Sequence, residues 1–192
     1  NFFIRLLRGS GLKGLVSLDK KNTISGINIL RPLIHQNKKD LVFLSKKVFG
    51  FYINDPTNLD EKFQRIKVRK LINSLEQNGL DKKKFLKKID NLKYSNDVVS
   101  FYVRKNLKKN SFYSSTKNRI VLNKAFFQQP NEVVFRALSE SIKLIGNKFY
   151  SPRGKKLDRI IDDIQNNRLY RVTLGGCIIE KVNQTVIISK EH

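Results

Sequence analysis

RLLRGSGLKGLVSL, residues 5–18, sets an arginine and three glycines between two apolar runs. Phe3, Leu6 and Leu7 recur at i, i+3 and i+4, so residues 1–8 read as the end of a helix. Arg8 closes it, and Gly9, Ser10, Gly11 and Gly14 follow. Glycine admits φ > 0 and lets backbone N–H groups come close to a ligand. An arginine beside such a loop is a natural clamp for phosphate or carboxylate. The structural alternative is a helix C-cap followed by a tight connection, which needs glycine for steric reasons alone. Spacing leaves both open. No Gly-Lys-Ser/Thr closes the loop, so it is not a Walker A sequence.

Downstream, INILR (residues 27–31) is a short apolar run closed by Pro32 and reads as a strand. Residues 38–48 place Leu41, Leu44 and Val48 on one helical face. Asp-Pro and Asn mark FYINDPTN (residues 51–58) as a turn. A helix is expected over 59–77, with Val68, Leu71, Ile72 and Leu75 as its buried stripe. Asn58 or Thr57 would cap it, Asp60 and Glu61 would fill its first turn, and Gly79 would end it. Residues 81–108 give one or two lysine-rich helices.

Beyond a soft boundary at residues 94–98 the pattern changes. Two short strands are expected in 111–122, then helices over 131–145 and 155–166. Three short strands follow, bent at Gly175-Gly176 and Asn183-Gln184. Neither repeats nor low-complexity tracts occur.

The 192 residues suffice for one sizeable core or a domain with an appendage. An apolar fraction of 40% fits a folded chain. Thirty-nine Lys and Arg against 16 Asp and Glu give a formal charge of +23. That field favours a polyanion, with nucleic acid the commonest. Lysine outnumbers arginine 27 to 12 amid abundant Asn and Ile, the pattern an AT-rich genome writes, which accounts for part of the excess. No apolar run approaches the roughly 18 residues a membrane helix needs, and no basic helix has the apolar face that interfacial binding requires. A single cysteine, Cys177, argues against a secreted disulfide scaffold, so a reducing, cytoplasmic setting is expected.

Lys62, Arg65 and Arg69 follow one flank of the 59–77 stripe, either as a phosphate-tracking edge or as an ordinary solvated face. Asp55 and Asn58 flank the turn, as a turn stabiliser and a helix cap. His35 and His192 are isolated, and neither a zinc spacing nor a Ser/His/Asp set occurs, so no metal site is expected.

Taken in order, RLLRGSGLKGL, ILRPLI and FYINDPTNLDEKFQRIKVRKLI resemble the tRNA(Ile)-lysidine synthetases, ATP pyrophosphatases that carry a Ser-Gly-Gly-x-Asp-Ser loop. The tail from Leu169 is similar to the C-terminal part of some members. The resemblance implies an ATP-dependent ligase that activates C2 of the wobble cytidine of tRNA(Ile) as an adenylate, which free lysine then attacks. It places Arg8 and Ser10 as catalytic and Gly9, Gly11 and Gly14 as ATP-binding. Arg31 matches the family's Arg-Pro-Leu segment. Asp55 and Asn58 match its Asp-x-Ser/Thr-Asn turn. Arg65 and Arg69 match a tRNA-facing helix, although Ile66 stands where the family usually has Asn; with them Arg31, Asp55, Asn58 and the flanking Lys62 are expected to bind tRNA. It also implies Mg²⁺ as a companion of ATP.

The Ser-Gly-Gly-x-Asp-Ser loop does not occur in the 192 residues, and neither does methionine. A C-terminal portion of such an enzyme, inactive by itself, is therefore expected. Its fold class would be α+β and mainly helical. Residues 1–35 would end a Rossmann-like α/β ATP pyrophosphatase domain, 36–97 form a basic helical tRNA-binding region, and 98–192 a small α+β unit. The rival expectations are a non-catalytic basic RNA-binding module, or another tRNA-modifying enzyme of the ATP pyrophosphatase type.

Overall fold

A computed structural model describes the chain apart from Asp19, Ser25, Gly26, His35, residues 55–59, Glu61, Arg153 and His192. The expected roles of Asp55, Thr57, Asn58, Glu61, His35 and His192 therefore lie outside the described residues. Two compact units result, Asn1–Asn96 and Asp97–His192. The class is α+β, and among the described residues no helix is long and apolar enough to cross a membrane.

In the first unit, α1 (Phe2–Leu7) and α2 (Leu12–Leu15) flank the glycine loop. β1 (Lys21–Ile24) and β2 (Ile27–Leu30) form an antiparallel hairpin, with Lys21 opposite Leu30. The sequence had marked β2 alone. α3 (Lys38–Phe49) is capped by Asn37, whose side chain accepts from the Lys39 N–H, and ends at Gly50 in the left-handed region. Its expected apolar face is not buried: Leu44 and Val48 are 57% and 62% exposed.

α4 (Gln64–Gln77) starts five residues later than the sequence suggests. The cause is Asp60. Its carboxylate accepts from the Lys62 N–H at 2.9 Å and its carbonyl from the Phe63 N–H at 3.2 Å. Aspartate here folds the backbone into a local turn that competes with helix. The buried stripe is shifted too. Ile66 and Val68 are buried, Ile72 and Leu75 half-buried, and Leu71 exposed. α5 (Lys82–Asn110) is one continuous helix, opened by Asp81, which accepts from the N–H groups of Lys83 and Lys84. Phe85 near its start stacks on Phe3 at 5.1 Å and meets Phe2 edge-on at 5.5 Å. Among the described residues of this unit, only Val16, Ile66 and Val68 are buried apolar side chains.

The second unit has a closed core. β3 (Ser111–Ser114), β4 (Arg119–Leu122), β5 (Arg171–Leu174), β6 (Cys177–Val182) and β7 (Thr185–Lys190) form one antiparallel sheet in the order β3-β4-β7-β6-β5. Side chains alternate across a strand, so Ile120, Leu122, Cys177, Ile179, Val186 and Ile188 line one face. α6 (Asn131–Ile145) and α7 (Gly154–Gln165) cover that face with Val134, Leu138, Ile142, Leu157, Ile160 and Ile164. The hairpins turn where the sequence placed them. Gly175 and Gly176 have φ of +66° and +77° between paired Leu174 and Cys177, and Asn183 has φ of +53°. Two successive positive φ values suit the twist of a two-residue hairpin. Asn106 and Asn110, both buried, bond to each other at 2.8 Å, and Asn106 also donates to the Phe126 carbonyl at 3.2 Å.

Cys177 sits in this core and donates from Sγ to the Ile142 carbonyl at 3.3 Å. Burial, reinforced by the charge of Glu191, raises its thiol from 9.0 to about 11. Between those values the native state holds a proton that the unfolded chain releases. The contribution is complete below pH 9 and lost as pH approaches 11. The stability difference between the protein and Cys177→Ala should therefore shrink by on the order of 2 kcal/mol from pH 8.5 to about 11 in urea titrations. Parallel stability curves for the two proteins would exclude the sealed thiol as the cause.

Candidate functional site

Helix α1 ends in a Schellman motif. The Gly9 N–H donates to the Leu6 carbonyl at 2.9 Å, and the Ser10 N–H to the Arg5 carbonyl at 3.0 Å. Gly9 takes the left-handed conformation the motif requires, with φ of +69°. The N–H groups of Gly9 and Ser10 are thus spent on ending the helix. Gly11 opens α2, and its carbonyl accepts the Leu15 N–H at 3.0 Å. A Cβ at Gly9 or Gly11 would meet nothing within 4 Å, so their backbone faces open space. Gly14 differs, because a Cβ there would stand 2.9 Å from the Ser10 Cβ. Its carbonyl accepts from Arg5 Nη1 and from Ser17 Oγ, the latter at 3.1 Å.

Arg5 is the residue that sequence reasoning passed over. It lies one turn before Arg8, half-buried, and ties α1 to the far side of the loop. The only signal was its place in the last turn of a helix, where a cation is favoured next to carbonyl groups. Arg8 is exposed and points elsewhere: its Nη2 donates to Gln64 Oε1 at 3.2 Å, in the first turn of α4. Arg65 and Arg69 follow on α4, both exposed. At i and i+4 their side chains are neighbours, with Cβ atoms about 6 Å apart. Arg8 is thereby brought to the helix that carries Arg65 and Arg69, across 56 residues of sequence.

Lys62 is exposed and precedes the helix, in the Asp60 turn. Arg31 is half-buried at the foot of the β hairpin, where its N–H donates to the Lys20 carbonyl at 2.8 Å. Asp55 and Asn58 lie outside the described residues. Ser10 is half-buried against Gly14. A cavity of about 360 Å³ lies nearby in the same unit, lined by Phe2, Val16, Ile72, Leu80 and Phe85, with Glu76 and Lys82 at 3.4 Å among its polar groups.

Residues 1–75 match the family model described as the PP-loop domain. Similarity to named proteins runs further. A tRNA(Ile)-lysidine synthase of Orientia tsutsugamushi is 34% identical over 203 aligned residues, covering 100% of this chain and 45% of that protein. One of Wolbachia pipientis wMel is 29% identical over 191, covering 99% and 44%. Similarity to proteins named tRNA(Ile)-lysidine synthase thus extends along nearly the whole chain. It spans less than half the length of these relatives. The matched PP-loop stretch takes in α1, the glycine loop, the hairpin, α3 and most of α4, and so includes Arg8, Arg65 and Arg69.

The Arg5 contact should hold the loop shut. Arg5→Gln should speed amide exchange at Gly9, Ser10 and Leu15 by about tenfold, the scale of one hydrogen bond to a charged group. Unchanged exchange at those three amides would show that the contact carries no stability.

Proposed function

We propose that this chain forms part of an enzyme that ligates lysine to C2 of the wobble cytidine of tRNA(Ile), using ATP and passing through an adenylated tRNA. The observation that carries this reading is the junction of Arg8 with α4. It lies within the PP-loop match and sets an exposed guanidinium beside an open glycine backbone and a basic helix. The relatives named tRNA(Ile)-lysidine synthase support the choice of reaction.

In this reading ATP meets the face left open at Gly9 and Gly11, where no side chain intrudes. Adenylation builds negative charge on the phosphates, and a fixed guanidinium lowers the barrier by meeting that charge without reorganising. Arg8 has this role, held in place by the Schellman end behind it and by Gln64 in front. Ser10, packed against Gly14, positions the loop and would offer its hydroxyl to a phosphate. Gly14 keeps the loop's return path narrow. Arg65 and Arg69, with Lys62 and Arg31, track the tRNA backbone, which supplies affinity without reading sequence. Lysine then displaces AMP. No cluster of three His, Cys, Asp or Glu side chains occurs among the described residues.

The test replaces the matched region of the Orientia tsutsugamushi relative with these 192 residues. In that chimera Arg8→Ala should lower lysidine formation by about a hundredfold while tRNA binding and thermal midpoint stay within error. Near-normal turnover would remove Arg8 from the chemistry.

Arg65→Ala and Arg69→Ala should do the reverse. Each should weaken tRNA binding at every sequence tested and reduce the log–log salt slope by about one. An unaltered slope would make them an ordinary solvated flank.

A further inference from the structure

The second unit carries a surface that its fold does not explain. Helix α6 ends in another Schellman motif, with Asn147 left-handed at φ of +48°. The Asn147 N–H donates to the Leu144 carbonyl at 3.4 Å and the Lys148 N–H to the Lys143 carbonyl at 3.3 Å. This exit throws the next two side chains outward. Phe149 is 60% exposed and Tyr150 is 79% exposed, and their rings meet edge-to-face at 4.9 Å. Neither belongs to the hydrophobic core.

The two rings border a cavity of about 360 Å³ shared with Lys143, Lys148, Pro152 and the Gly175-Gly176 turn. Side chains are missing from that turn, which keeps the cavity open. A Cβ on Gly176 would come 3.1 Å from the Lys148 Cε. Cations surround the rings. The Lys143 ammonium lies 5.9 Å from the Phe149 centroid, and Lys148, also exposed, lines the same cavity. The nearby acid is Glu191, whose N–H donates to the Gly176 carbonyl. Across residues 97–192, 18 Lys and Arg face 8 Asp and Glu, so the field of this unit favours an anion.

Exposed rings and flexible cations at one cavity match the chemistry of unpaired nucleotides. Each base offers a flat face to a ring, and each linkage a phosphate to an ammonium. A double helix hides its base faces, so it would use the lysines and not the rings. A protein partner would use the rings but would show little of the salt dependence that phosphates impose. We propose that Phe149 and Tyr150, flanked by Lys143 and Lys148, form a stacking platform for unpaired RNA nucleotides. It rests on the reading above only in taking RNA as the polyanion, and it is separate from the Arg8 loop.

The 192-residue chain is titrated by fluorescence anisotropy with a mixed-sequence RNA strand of about 12 nucleotides, within the span of single-strand sites. A blunt RNA duplex of equal length is the comparison. Phe149→Ala/Tyr150→Ala should weaken single-strand binding about tenfold or more, change duplex binding less than about twofold, and leave the salt slope unaltered. Lys143→Gln/Lys148→Gln should instead reduce the single-strand slope by about 0.7 per lysine. Phe149→Leu/Tyr150→Leu, which keeps apolar bulk, should behave like the alanine pair. Equal losses on strand and duplex, full binding by the leucine pair, or no loss at all would overturn the platform. Lysidine formation by the chimera is scored separately. A dead chimera with a ring-dependent strand affinity removes the ligase reading alone, and an active chimera with ring-independent affinity removes the platform alone.

Discussion

An α-helix cannot stop without leaving carbonyls unpaired, and among the described residues this chain solves the problem the same way four times. α1, α4, α6 and α7 each end with a left-handed residue whose N–H, and that of the residue after it, fold back onto the last turn. Gly9, Gly79, Asn147 and Asn167 occupy that position. Only glycine and, less readily, asparagine accept it cheaply. Each closure also fixes the direction in which the chain leaves. At Gly9 it opens a short loop between two helices. At Asn147 it presents two aromatic rings to water. Local backbone chemistry thus decides where these two candidate surfaces stand before any ligand is considered.

This resolves the question posed by the glycines of residues 9–14. The steric and the ligand-facing explanations are not exclusive. Gly9 is required by the helix end, Gly14 by the closeness of Ser10, and Gly11 by neither. The loop is a helix terminus whose open side remains available.

Legibility in the sequence followed how local the cause was. α6 and α7 were plain because their apolar residues recur at helical spacing over a strong sheet contact. The β5–β6 and β6–β7 turns were plain because Gly-Gly and Asn-Gln sit between alternating runs. The start of α4 was misjudged because Asp60 can serve either as a first-turn acid or as a turn former, and the turn won. The face of α3 was misjudged because periodicity reports amphipathicity and not what covers it. Phe43, Leu44 and Val48 remain exposed on a well-formed helix. In the candidate site, Arg8, Arg65 and Arg69 were legible as cations, but the pairing of Arg8 with Gln64 spans 56 residues and no local pattern encodes it. Arg5 left little signal for a different reason: its partner is a backbone carbonyl, which has no letter in the sequence.

The sealed thiol of Cys177 has a practical side. It is the single cysteine of the chain, fully buried beneath α6, and held protonated through the ordinary range of bioconjugation. A cysteine placed on an exposed position such as Lys87 would therefore be the one reactive thiol in the native protein. Dyes, spin labels or crosslinkers could be attached one site at a time without first removing the natural residue, and the sheet that surrounds it would stay as it is.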